Sequence, residues 1–254
     1  MIKVGIDAGA KFIKAVVVKD GNIIAKDQLL AGFEGKENAK KLFDQVLQKA
    51  GISLDEVDSI TSTGSGRKMV DFATKSITDV TAAAKGATTL YPEVHTVIDV
   101  GAEEGRSIRC NSEGKIIDFA INEKCAAGAG AFTEAMARAL EIPLEDFGRI
   151  SLKSEKEIPM NAQCAVFAES EVVSLLHAKT PKEDIAKSIN DAVASRITSM
   201  VRKVGFEKEI ALIGGVAYNI GFINSLETDL KEKLIIPEDP EYVGAYGAAL
   251  ITKK

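Results

Sequence analysis

Two stretches of the chain repeat one pattern, and that repeat limits the folds open to it. The first runs Ile2-Lys3-Val4-Gly5-Ile6-Asp7-Ala8-Gly9, then Ile13 to Val18, then Asp20-Gly21-Asn22-Ile23-Ile24. The second runs Thr96-Val97-Ile98-Asp99-Val100-Gly101, then Arg106 to Cys110, then Glu113-Gly114-Lys115-Ile116-Ile117. Each reads as an apolar strand ending in Asp-x-Gly, a second strand, a glycine turn and a third strand. Asp7 thus corresponds to Asp99, Gly9 to Gly101 and Gly21 to Gly114. Duplication of such a unit predicts two like domains facing each other across one ligand.

The intervening segments read as helices and further strands. Leu42, Val46, Leu47 and Ala50 mark a helix near 36–50, with Gly51 as its stop. Asp58 to Thr63 reads as a strand running into the turn Thr63-Gly64-Ser65-Gly66-Arg67. Residues 78–90 are Ala-rich and helical, and Tyr91-Pro92 breaks the chain there. A boundary near residue 94 follows, giving domains 1–94 and 95–254, with the last helix free to pack back on the first domain. Beyond it, Phe132, Met136 and Leu140 repeat at helical spacing, and another helix runs from near Cys164 or Val166 to about Ala178. A long helix covers Glu183 to Val204, and Glu209 to Ile213 is a strand entering Gly214-Gly215. Strands and helices in this rhythm imply an α/β fold with helices layered on sheets.

Composition removes several function classes. A net charge of −5 with no basic stripe argues against non-specific nucleic-acid binding, and the absence of tryptophan leaves few stacking platforms. No apolar run approaches the roughly 20 residues of a membrane helix, so a cytoplasmic protein without membrane contact is expected. Cys110, Cys125 and Cys164 form no C-x-x-C motif. Taken singly, each is a small buried hydrophobe.

The two Asp-x-Gly ends carry the chemistry. Glycine permits a tight turn and close approach of backbone N–H groups to an anion. A neighbouring carboxylate suits Mg²⁺, which binds through one or two carboxylates plus waters and phosphates. Taken alone, either copy is ordinary turn chemistry; matching strand contexts in both favour a nucleotide clamp. Three glycine loops add to it. Gly128-Ala129-Gly130 feeds a helix N-terminus, a natural anion site. Gly214-Gly215-Val216-Ala217-Tyr218-Asn219 follows a strand and suits a base or ribose. Gly244-Ala245-Tyr246-Gly247-Ala248-Ala249 opens the last helix, where small residues also serve close packing.

This order of motifs resembles the acetokinase/sugar kinase/Hsp70/actin (ASKHA) superfamily. Glu123-Lys124-Cys125-Ala126-Ala127-Gly128 and Cys164-Ala165-Val166-Phe167-Ala168-Glu169-Ser170-Glu171-Val172 narrow the resemblance to the BadF/BadG/BcrA/BcrD-type ATPases. These are activators of 2-hydroxyacyl-CoA dehydratases and ATPase subunits of benzoyl-CoA reductase. Residues 99–109 look most like the D subunit of that reductase. The resemblance implies two actin-like domains with a nucleotide cleft between them, and ATP/ADP and Mg²⁺ held by Asp7, Gly9, Lys11, Lys14, Asp99, Gly101, Gly128, Gly130, Gly214, Gly215, Asn219 and Gly247. Glu169 would meet the ribose. It also implies that Cys125 and Cys164 each ligate a [4Fe–4S] cluster shared across a dimer, because a cubane takes four thiolates.

Two loops depart from the family pattern. Asp7-Ala8-Gly9-Ala10-Lys11 lacks the hydroxyls usual after the first glycine, and Lys11 is an added cation. Where the activators carry Gly-Gln-Asp after the second Asp-x-Gly, this chain carries Ala102-Glu103-Glu104. Glu103 and Glu104 are therefore the candidates to orient or deprotonate the attacking water. The leading expectation is an ATP-dependent electron-transfer subunit, paired with a sister subunit and loaded by reduced ferredoxin or flavodoxin, that serves a benzoyl-CoA reductase-type partner. The alternatives are a homodimeric dehydratase activator, a small-molecule kinase and a non-catalytic nucleotide-binding scaffold.

Overall fold

The computed structural model of the chain describes residues 1–122, 130–160 and 165–251. The first repeat folds as β1 (Ile2–Ala8), β2 (Phe12–Lys19) and β3 (Asn22–Leu30), an antiparallel meander. Two parallel strands, β4 (Ser59–Thr63) and β5 (Lys75–Ser76), extend it to the order β3-β2-β1-β4-β5. The second repeat folds as β6 (Thr96–Val100), β7 (Gly105–Cys110) and β8 (Ile116–Asn122). With β9 (Ile210–Ile213) and β10 (Leu234–Ile235) it gives the order β8-β7-β6-β9-β10, the same topology.

The duplication extends to register. Asp7 faces Lys14 across the first hairpin, and Asp99 faces Arg106 across the second. Each outer strand pair bulges at the matching place, between Val17 and Val18 and between Arg109 and Cys110. A bulge increases local twist, so the two sheets share this distortion as well as their strand order.

Helices complete the layers. α1 (Gly35–Ala50) buries Ala39, Leu42, Phe43, Val46 and Leu47 against the first sheet and ends at Gly51, whose φ of 67° forms a left-handed cap. α2 (Asp79–Leu90) comes next in the chain. The second lobe then adds α3 (Gly130–Ala139), α4 (Leu144–Ser151), α5 (Ala165–His177), α6 (Lys182–Val204) and α7 (Ile220–Leu230), before α8 (Val243–Leu250) closes the chain. Phe132, Met136, Phe147, Ile185 and Ile189 from these helices join Ile98 and Leu212 of the second sheet in one core.

The two lobes exchange a helix. Although α2 precedes residue 94, its Val80, Ala83, Ala84 and Ala87 pack on Val97, Ile108, Ala211 and Ile213 of the second sheet. Conversely, Ala245, Tyr246 and Ala249 of α8 pack on Val16 and Val18 of the first. α2 and α8 then meet back to back. Glycine is required there because a Cβ on Gly86 would lie 2.2 Å from the Val243 carbonyl oxygen, and one on Gly247 1.9 Å from that of Ala82. Gly247, expected at the nucleotide, is thus a packing residue. Cys110, fully buried on β7, has its thiol pushed up to about 11 by burial and is inert. Among the described residues, no helix is long and apolar enough to cross a membrane.

Candidate functional site

Both Asp-x-Gly turns open into one cleft of about 510 Å³. The turns are built alike: the Gly9 N–H donates to the Phe12 carbonyl (3.1 Å) and the Gly101 N–H to the Glu104 carbonyl (2.9 Å). Each glycine therefore closes its own turn with the amide that its sequence context offered to an anion. The acids leave the strand ends toward the cleft, each with a cation from the facing strand. Lys14 Nζ lies 3.4 Å from Asp7 Oδ2, and Arg106 Nη1 lies 2.9 Å from Asp99 Oδ2. Arg106 also pairs with Glu104 and stands 3.8 Å from Asp79.

Electrostatics distinguish the two jaws. Burial raises the Asp99 carboxyl above the ordinary carboxylate range; Arg106 opposes this, and the charge of Asp7 adds to it. The guanidinium of Arg106 is itself buried, yet the surrounding acids, Asp99 foremost, hold it charged more firmly than usual. Asp7 and Asp99 are thus close enough to repel, with one cation apiece. A divalent ion between them would relieve that repulsion, and both acids line the same space, so the residues fit Mg²⁺ bound chiefly through water and phosphate.

The parallel half of each sheet supplies a second matching pair of loops. Thr63 ends β4 beside Asp7, and Ile213 ends β9 beside Asp99. Gly64 and Gly214 follow with φ of 96° and 88°. At Gly64 a Cβ would meet the Ala8 carbonyl at 2.3 Å, and at Gly214 the Val100 carbonyl at 2.3 Å. Each glycine lets its loop cross directly over the strand that carries the acid. Motif reading alone leaves the 64–66 loop out of the site, although its correspondence with Gly214 is a signal that the repeat carries. Thr63 Oγ1 is buried there without a hydrogen-bond partner among the described residues.

The structure sorts the expected site residues. Asp7, Gly9, Lys11, Lys14, Asp99, Gly101, Glu103, Glu104, Gly130, Gly214, Gly215 and Asn219 all line the cleft. Glu104 is engaged by Arg106, which leaves the exposed Glu103 as the freer acid of the pair. Asn219 is occupied structurally. Its Oδ1 accepts from the Gly221 and Phe222 N–H groups to cap α7, and its Nδ2 donates to Asn190 Oδ1 at 2.9 Å. Gly130 and Ala131, at the start of α3, donate to the Gly101 and Ala102 carbonyls (2.9 and 2.8 Å) and so tie that helix to the second turn. Glu169 is exposed on α5 and does not line the cleft. The α-helix acids that do are Asp79 at the start of α2, Glu134 on α3 and Glu145 on α4. Cys125, Cys164 and Gly128 lie outside the described residues.

Leu144, Tyr218 and Ile220 add apolar lining with half-exposed side chains, and the Tyr218 hydroxyl donates to Glu241 Oε2 at 2.6 Å, which fixes the ring. Paired acids and cations with an anchored aromatic ring in one cleft together suit a molecule with a charged tail and a flat ring system.

Comparison with known proteins agrees with this geometry. The model of the BadF/BadG/BcrA/BcrD ATPase family matches residues 4–252. Component A of (R)-2-hydroxyglutaryl-CoA dehydratase from Acidaminococcus fermentans superposes with a TM-score of 0.94 at 36% identity, covering 98% of this chain and 96% of that one. The activator of 2-hydroxyisocaproyl-CoA dehydratase from Clostridium difficile, solved with bound ADPNP, superposes with a TM-score of 0.92 at 32% identity, covering 98% and 93%. The D subunit of benzoyl-CoA reductase from Thauera aromatica is 30% identical over 98% of this chain and 92% of its own. The expected precedence of that reductase therefore gives way to the dehydratase activators.

Proposed function

The chain belongs to the BadF/BadG/BcrA/BcrD ATPase family, and from that premise we propose that it is an ATP-dependent activator delivering single electrons to a 2-hydroxyacyl-CoA dehydratase. The observation that carries this reading is the pair of strand-end acids, Asp7 and Asp99, facing one cleft from two copies of the same sheet. In it, Mg-ATP lies with its phosphates between the two turns and its base toward Tyr218 and Ile220. Asp7 and Asp99 would hold Mg²⁺, and Lys11 and Lys14 would neutralise phosphate oxygens. Glu103 orients the attacking water. Arg106 holds Asp99 in place and opposes the rise that burial gives its carboxyl.

Cys125 and Cys164 are the proposed thiolate ligands, two from each of two copies of the chain, of one [4Fe–4S] cluster that supplies the one-electron chemistry. Support comes from their position: the segments that carry them enter α3 and α5, and these helices pack on each other. A reduced ferredoxin or flavodoxin would load the cluster. A reading as part of a benzoyl-CoA reductase rests on residues 99–109 and predicts dependence on a sister chain.

Anaerobic purification of the chain alone tests both readings. An activator is expected as a brown homodimer with about two Fe per chain, ATPase activity, and loss of the chromophore in Cys125→Ala and Cys164→Ala. A monomer that gains iron only with a sister chain favours the reductase reading. A full complement of iron in either cysteine variant would remove the cluster assignment altogether.

A further inference from the structure

Lys11 occupies the turn where the family pattern has a hydroxyl, and it does not point idly into the cleft. Its ammonium reaches across to the carboxylate of Glu134 on α3, in the other lobe. Both ends of this pair are anchored. The Lys11 carbonyl accepts from the Ala31 N–H at 2.9 Å, which fixes the first turn against the end of β3. α3 is fixed to the second turn by the Gly130 and Ala131 amides. The ion pair is therefore a direct electrostatic tie between the two turns that would flank a nucleotide's phosphates.

Resting on the nucleotide reading above, we infer that Glu134 sets the affinity of the site by standing in for phosphate: its carboxylate holds Lys11 until nucleotide arrives and is displaced when a phosphate takes that cation. The two anions compete for one ammonium group. Binding of a nucleotide then exchanges a protein–protein contact between lobes for a protein–phosphate contact. The cleft thereby opens its own tie only when phosphate is present. Glu134 acts through Lys11 and is a positioning residue.

A double-mutant cycle on the full chain, purified anaerobically, tests this by calorimetric titration with Mg-ADP and with a Mg-bound non-hydrolysable ATP analogue. Glu134→Gln keeps the shape of the side chain and removes its charge; it is expected to tighten nucleotide binding about two- to fivefold, the worth of a half-exposed ion pair. Lys11→Met is expected to weaken binding by about fivefold or more. With Lys11→Met already present, Glu134→Gln should change affinity less than about twofold, because the competition no longer exists. Unchanged melting temperatures of the two single variants keep the cycle interpretable as binding. Equal tightening by Glu134→Gln in both backgrounds would reduce Glu134 to a general charge effect and overturn the inference. Weakening by Glu134→Gln would overturn it as well. A parent chain that binds no Mg-nucleotide would sink the nucleotide reading itself, which separates the two failures.

Discussion

Substitution of Gly214 by alanine tests the construction of the second jaw most directly. Gly214 sits at φ 88° and ψ 169°, a region that L-residues essentially never enter and whose strain costs ~1–3 kcal/mol. The added Cβ would lie 2.3 Å from the Val100 carbonyl oxygen and 2.8 Å from Asp99 Oδ1. Neither neighbour can yield easily, since Val100 is within β6 and Asp99 is held by Arg106. Overpacking of this kind adds ~1–3 kcal/mol. The sum, ~2–6 kcal/mol, corresponds to a fall in melting temperature on the order of 5–20 °C at about 2–4 °C per kcal/mol for a chain of this size. Gly215 is the internal control. A Cβ there meets no heavy atom within 4 Å, so Gly215→Ala is expected to melt within about 2 °C of the parent, as surface changes do. It lines the cleft, so its effect should be confined to nucleotide affinity. Differential scanning fluorimetry with and without Mg-ADP reads both quantities. A Gly214→Ala variant that melts with the parent, or a Gly215→Ala variant that falls as far, would refute the account of why the Gly-Gly pair exists.

Three further outcomes are expected. Burial holds the Asp99 carboxyl above its ordinary value of 3.8, so the folded state keeps that proton longer than the unfolded one. Stability is then lost as pH rises from the ordinary carboxylate range through the raised value. Asp99→Asn should therefore remove that part of the pH dependence of the melting temperature above about pH 4, while Mg-nucleotide affinity drops by about tenfold or more. Asn219→Ala removes the cap of α7 and strands the Asn190 amide oxygen, which should cost ~1–3 kcal/mol in urea unfolding. Gly247→Ala forces a methyl to within 1.9 Å of the Ala82 carbonyl; it should lower the melting temperature by several degrees yet leave the affinity of the folded fraction for nucleotide intact in calorimetry.

The sequence was most legible where the information is local. The repeat around Asp7 and Asp99 fixes strand identity, turn position and the placement of an acid at a strand end, because alternation and Asp-x-Gly act within a few residues. Helix periodicity placed α1 and α6, and an Ala-rich run ending at Tyr91-Pro92 placed α2, to within a residue or two for the same reason. Short elements escaped: α4 spans only eight residues, too few turns for a periodic signal, and β5 and β10 are two-residue strands that exist only beside β4 and β9. The cysteine segments suggested an iron–sulfur ligand set by resemblance, and Cys125 and Cys164 lie outside the described residues.

Tertiary packing alone decided three things. It set α2 on the second sheet, since which sheet a small-residue helix covers depends on surfaces far away in the chain. It assigned Gly247 to the packing of α8 on α2 and Asn219 to a helix cap, although both sit in glycine-loop motifs that also suit a ligand. It also brought Arg106 onto Asp99 and Lys11 onto Glu134. Charge partners separated by more than a turn of chain leave no periodic trace, because Coulomb attraction depends on distance in space and not on position in sequence. From the sequence came two acids at two strand ends; from the fold came the single cleft they share.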